Sequence, residues 1–126
     1  QLRRAQAKLV YVGEGEIFDV AVDIRRGSPT FGRWTGVTLS AANRRQLFIP
    51  AGFAHGFCVL SESADVFYKC SDFYHPGDDR TVVWNDPDLG IDWPVRDGLL
   101  SDKDRRAPRL RDLPEADLPA WTPGPA

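Results

Sequence analysis

The chain has 126 residues, 42% of them hydrophobic and 27% charged, and 16 basic against 18 acidic side chains leave a net charge of −2. That length suits one domain burying ~65% of its unfolded surface, and charges so evenly scattered offer no basic face for nucleic acid. No apolar run approaches the ~20 residues of a membrane-spanning helix and no leader pattern is visible, so a soluble, cytoplasmic protein is expected, with no membrane partner.

From Lys8 to Ser71, short apolar runs of period two are broken by Gly, Pro, Asn or Ser, the pattern of an antiparallel sandwich or barrel. Strands are predicted at Lys8–Val12, Glu16–Ile24, Trp34–Ser40, Arg45–Ile49, Gly56–Leu60 and Val66–Ser71. A short seventh is predicted at Thr81–Trp84, after the turn His75-Pro76-Gly77-Asp78. Beyond Trp84 the character changes: five of the ten prolines fall between Pro108 and Pro125, which excludes further central strands and predicts a tail that wraps or frays. Within it, Ser101-Asp102-Lys103-Asp104 has the form of a helix start with Ser101 as N-cap. The expectation is a single all-β domain over 1–126, with core strands in 8–84 and a wrapping tail over 85–126 that is irregular or briefly helical. Cys58 and Cys70 lie in apolar, strand-like runs and read as two buried, reduced thiols. There is no methionine, even at position 1, so the numbering is expected to begin inside a longer or processed chain.

Few residues here carry chemistry by themselves. Pro50-Ala51-Gly52-Phe53-Ala54-His55 has the P-x-G-x-x-H form of a cupin motif, in which Pro and Gly turn the chain at a barrel rim and the next strand aims the histidine inward. The bland alternative is a buried histidine satisfied by a backbone carbonyl. With His75 the sole other histidine, and placed in a turn, no metal site is expected. Tyr68 shares a strand face with Cys70, and alone it reads as a large hydrophobe with a tethered hydroxyl. Lysine is scarce, three against 13 arginines, and marks Lys8, Lys69 and Lys103 as places where a compact ammonium is wanted or where chance put one. Asp19 and Asp23 share one face of the second strand, where a solvated or Arg-paired sheet face is the favoured reading over acid–base work.

Taken in order, AQAKLV at Ala5–Val10, GEIFDVAVDIRRGSPTFGRW at Gly15–Trp34, RQLFIPAGFAHGF at Arg45–Phe57, VFYKCSDFY at Val66–Tyr74, WNDPDLGIDWP at Trp84–Pro94 and LSDKD at Leu100–Asp104 resemble the dTDP-4-dehydrorhamnose 3,5-epimerases. The resemblance runs from about Gln1 to Pro108 and corresponds to the C-terminal two-thirds of the family domain. It implies a cupin-type, antiparallel double-sheet jelly-roll barrel and a cofactor-free isomerase of dTDP-rhamnose biosynthesis. That enzyme inverts C3 and C5 of dTDP-4-dehydro-6-deoxyglucose through an enolate. By position, Tyr68 matches the family's proton donor, Lys8 the lysine facing the enolate oxygen, and Asp104 the aspartate that pairs with the base. His55, Lys103, Asp79 and Tyr74 match substrate-contacting positions, Asp79 standing where the family carries glutamate. The base itself is a histidine in a GLHxQ-like segment ahead of the stretch aligned with Gln1, so this chain is expected to lack it and to be inactive alone. The implied partners are the nucleotide-sugar and a second copy in a homodimer. Two alternatives stay open: a C3- or C5-only epimerase of antibiotic deoxysugar synthesis, and a non-catalytic nucleotide-sugar-binding cupin.

Overall fold

The computed structural model describes residues 1–124, so Pro125 and Ala126, at the end of the expected tail, lie outside the described residues. Among the described residues six strands form: β1 (Lys8–Glu14), β2 (Glu16–Asp23), β3 (Trp34–Ser40), β4 (Gln46–Ile49), β5 (Phe53–Val59) and β6 (Asp65–Cys70). They make two antiparallel three-stranded sheets, ordered β4-β1-β6 and β3-β2-β5. This is the two-sheet, all-β architecture expected of a cupin-type barrel, and the chain crosses repeatedly from sheet to sheet. The β1–β2 crossing turns at Gly15, with φ of 84°, where an added Cβ would meet the Ser63 carbonyl oxygen at 2.2 Å. A side chain there is excluded on both counts. Among the described residues no helix is long and apolar enough to cross a membrane.

β2 is buried on both faces. Its inward alternates, Ile17, Asp19, Ala21 and Asp23, face the inter-sheet space, where Val10, Val12, Ile17, Leu39 and Ile49 form an apolar core. Its outward alternates, Val20 and Val22, lie under the tail and pack with Leu89 and Leu110, flanked by Trp93, Leu113 and Leu118. The tail therefore wraps. It does so in short 3-10 turns (Leu110–Asp112 and Glu115–Asp117) and returns to the sheet region at an isolated Arg26–Ala120 bridge.

Three expectations need correction. Thr81–Trp84 is not a strand: it bonds to the tail through the Val83 N–H and the Pro108 carbonyl (2.8 Å), and proline has no N–H to return, so no ladder propagates. β5 begins at Phe53, three residues before the expected Gly56, because the Pro50–Gly52 turn already delivers an extended chain to β2. Cys58 and Cys70 are free thiols, as expected, but only Cys58 is partly buried; Cys70 is exposed, because β6 is an edge strand. Ser101, by contrast, caps helix α1 (Asp102–Arg105) as predicted, accepting the Asp104 N–H at 3.2 Å.

Asp23 is 1% exposed and holds the β2–β3 connection together. It accepts from Arg25 Nε (2.9 Å) and Nη2 (3.0 Å), Ser28 Oγ (2.6 Å) and Thr30 Oγ1 (2.6 Å). Burial pushes its carboxyl upward, but the hydrogen bonds from Arg25, Ser28 and Thr30 outweigh burial and hold it well below the usual carboxylate range. A carboxyl depressed on folding stabilises the fold above its ordinary value of 3.8 and loses that contribution as pH falls below it. Asp23→Ala is expected to cost about 3–5 kcal/mol. Urea unfolding checks this, and the gap from the parent narrows as pH falls below 3.8; a gap independent of pH would contradict the account.

Candidate active site

The inward faces of the two sheets carry different chemistry. On β1, Lys8, Val10 and Val12 alternate inward, and the register sets Lys8 opposite Cys70 and Val10 opposite Tyr68 on β6. Lys8, Tyr68 and Cys70 thus share one face, as alternation predicts. The Lys8 ammonium sits 5.9 Å from the Tyr68 ring centroid, a cation–π approach that keeps charge and phenol together. Tyr68 is 59% exposed, so the phenol meets solvent in place of a dry core.

On the facing sheet, Ala21 of β2 pairs with His55 of β5 and Asp19 with Phe57, which makes Asp19 and His55 diagonal neighbours on the inner face. The His55 Nε2–H donates to Asp19 Oδ1 at 2.5 Å, with side chains 10% and 0% exposed. Oδ2 of Asp19 has no hydrogen-bond partner among the described residues. In a neutral ring this bond places the proton on Nε2 and Nδ1 is then the acceptor. The inward aim of His55 was legible from its motif, but its carboxylate partner was missed. Asp19 belongs to neither a solvated nor an Arg-paired face, whereas Asp23 is Arg-paired. The available signal was β2's alternation beside an inward histidine on a neighbouring strand.

The remaining candidate residues gather where the first residues of the chain run along 71–79. Gln1 donates from Nε2 to the Phe73 carbonyl (3.0 Å) and accepts the His75 N–H, and the Leu2 N–H reaches the Asp78 carbonyl (3.0 Å). Asp79 accepts from Lys103 Nζ at 2.8 Å. That hydrogen bond raises the Lys103 ammonium above its usual value against a smaller effect of burial, with further help from the charges of Asp79, Asp104 and Tyr74. So Lys103, Asp79, Asp104 and Tyr74 form one cluster. The Asp104 carboxylate is half-buried and makes no ion pair among the described residues. His75 stands apart in its turn, and among the described residues no three His, Cys, Asp or Glu side chains converge in a metal-binding group.

Comparison with known proteins identifies the family. The family described as dTDP-4-dehydrorhamnose 3,5-epimerase matches residues 1–112. A dTDP-4-dehydrorhamnose 3,5-epimerase of Pseudomonas aeruginosa is 61% identical over 113 residues, 89% of this chain and 62% of that protein. A crystal structure of the dTDP-6-deoxy-D-glucose-3,5-epimerase of Legionella pneumophila, in complex with dTDP-4-keto-L-rhamnose, superposes with a TM-score of 0.95 at 52% identity. It covers 98% of this chain and 66% of its own. A 3'-monoepimerase from Streptomyces bikiniensis, in complex with dTDP-quinovose, gives a TM-score of 0.88 at 39% identity over 95% of this chain and 62% of its own. The chain therefore spans a little under two-thirds of the length of these relatives. With a family match over nearly its whole length and the same two-sheet fold, the chain belongs to the dTDP-4-dehydrorhamnose 3,5-epimerase family.

Proposed function

We propose that this chain carries most of a cofactor-free epimerase domain that inverts C3 and C5 of dTDP-4-dehydro-6-deoxyglucose to give dTDP-4-dehydrorhamnose. The observation that carries the reading is the Lys8 ammonium beside the Tyr68 phenol on an inward, solvent-reached strand face. The C4 ketone acidifies the protons on C3 and C5. A base removes one, Lys8 stabilises the negative charge that gathers on the C4 oxygen, and the Tyr68 O–H returns a proton from the opposite face. The base in this reading is the histidine of the family's GLHxQ-like segment, in the part of the domain ahead of the stretch matched here. Asp104, whose carboxylate has no ion-pair partner among the described residues, holds its tautomer. His55, fixed by Asp19, offers Nδ1 to a sugar hydroxyl, and Lys103, Asp79 and Tyr74 meet the nucleotide-sugar at the mouth.

The full-length protein, incubated with dTDP-4-keto-6-deoxyglucose in deuterium oxide, is expected to exchange the C3 and C5 protons with solvent. A well-folded protein that exchanges neither would overturn the reading. A second reading, inversion at one carbon only, is supported by the likeness to the 3'-monoepimerase, and NMR of the same product separates the two. A homodimer belongs with either. The outer face of the β4-β1-β6 sheet leaves Phe48 and Phe67 62% and 48% exposed, and sedimentation equilibrium reads the mass.

A further inference from the structure

Helix α1, which carries Lys103 and Asp104, is four residues long, too short to hold itself in place. The residues before it give little support: Leu99 is fully exposed. The Lys103–Asp79 ion pair has its lysine 61% exposed, and such pairs contribute little. The firm attachment lies after the helix. Asp86 is 2% exposed and spends both carboxylate oxygens on backbone donors: Oδ2 accepts the Leu110 N–H at 2.7 Å and Oδ1 the Asp88 N–H at 2.9 Å. Three residues earlier, the Val83 N–H donates to the Pro108 carbonyl. The Leu110 side chain is buried in the apolar cluster beneath the tail. Residues 83–86 and 108–110 are thereby clasped together, and Asp104 lies only four residues before the clasp.

We propose that Asp86 is a positioning residue for the epimerisation, acting through Asp104. A buried carboxylate that accepts from two backbone amides fixes where the chain leaves α1, and so fixes the carboxylate that orients the base. This rests on the reading of Asp104 given above. Asn at position 86 keeps the shape but surrenders one acceptor, orphaning the N–H of Leu110 or of Asp88. Displacement by about 1 Å at a site residue is enough to slow a reaction on the order of a hundredfold.

The test is a double-mutant cycle in the full-length protein, reading deuterium exchange per folded molecule alongside thermal unfolding, at a temperature where every variant is folded. Asp86→Asn is expected to slow exchange about ten- to a hundredfold, and Asp86→Asn combined with Asp104→Asn to exchange within about twofold of Asp104→Asn alone. A merely structural role lowers the unfolding temperature and leaves the per-molecule rate unchanged, and that result overturns the inference. So do two effects that simply multiply. If Asp86→Asn does not fold, Asp86→Glu takes its place, keeping both acceptors but shifting them by one methylene against the Leu110 and Asp88 N–H groups. The same non-additivity with Asp104→Asn is then expected. Absence of exchange in the unaltered protein overturns the epimerase reading itself, an outcome distinct from either result above.

Discussion

Tyr68→Phe is expected to reduce formation of the inverted sugar by about 10²–10⁴-fold, the range for loss of a positioned proton donor, while proton exchange from the substrate survives within a few-fold. The substitution is narrow. It keeps the ring over which Lys8 sits, and Tyr68 is 59% exposed with its strand pairing to Val10 made by backbone, so folding is little affected. What disappears is one O–H. An enolate formed without a donor on the far face takes its proton back from the side that lost it, so deuterium enters with retention. NMR of the recovered substrate and product in deuterium oxide separates the two events. Equal loss of exchange and inversion would show that Tyr68 is not the donor.

Lys8→Met gives the opposite pattern. Removing a preorganised positive group from beside a developing oxyanion costs about 3–4 kcal/mol, or about 10²–10³ in rate. The loss falls on enolate formation, so exchange and inversion decline together. Methionine replaces the unbranched stem with one only an atom shorter, and so keeps its packing on the strand and its thermal stability. Lys8→Arg is expected to rescue little, since a planar fork does not replace a compact ammonium at this spacing. An exchange rate unchanged in Lys8→Met would remove Lys8 from the mechanism.

Much of the barrel was legible because its signals are local. β3 spans Trp34–Ser40 as predicted, since its apolar alternation is bounded by glycine-rich and asparagine-containing turns. The Ser101 cap could be read from four consecutive residues, and Tyr68 and Cys70 sharing a face follows from the period of a strand. Long-range contacts were not legible. Nothing near Val20 or Val22 says that Leu89 and Leu110 cover them, and the 3-10 turns of the tail carry no hydrophobic period to announce it. Thr81–Trp84 has the composition of a strand but finds a proline opposite. The site divided in the same way. Individual residues came from motif positions, while the Asp19–His55 bond and the Lys103–Asp79 pair depend on which strands and turns become neighbours.

The double burial of β2 implies a division of labour. Its outer side, Val20 and Val22 under the tail, supplies hydrophobic stabilisation, and that leaves part of its inner side free to hold Asp19 against His55. In the proposed reading, adhesion at Val20 and Val22 and the seating of His55 by Asp19 fall to neighbouring residues of one strand that point to opposite sides. On that reading, a change at Asp19 retunes how His55 is presented to the sugar while Val20 and Val22 go on holding the strand under the tail, a latitude that a sheet with one watery face does not have.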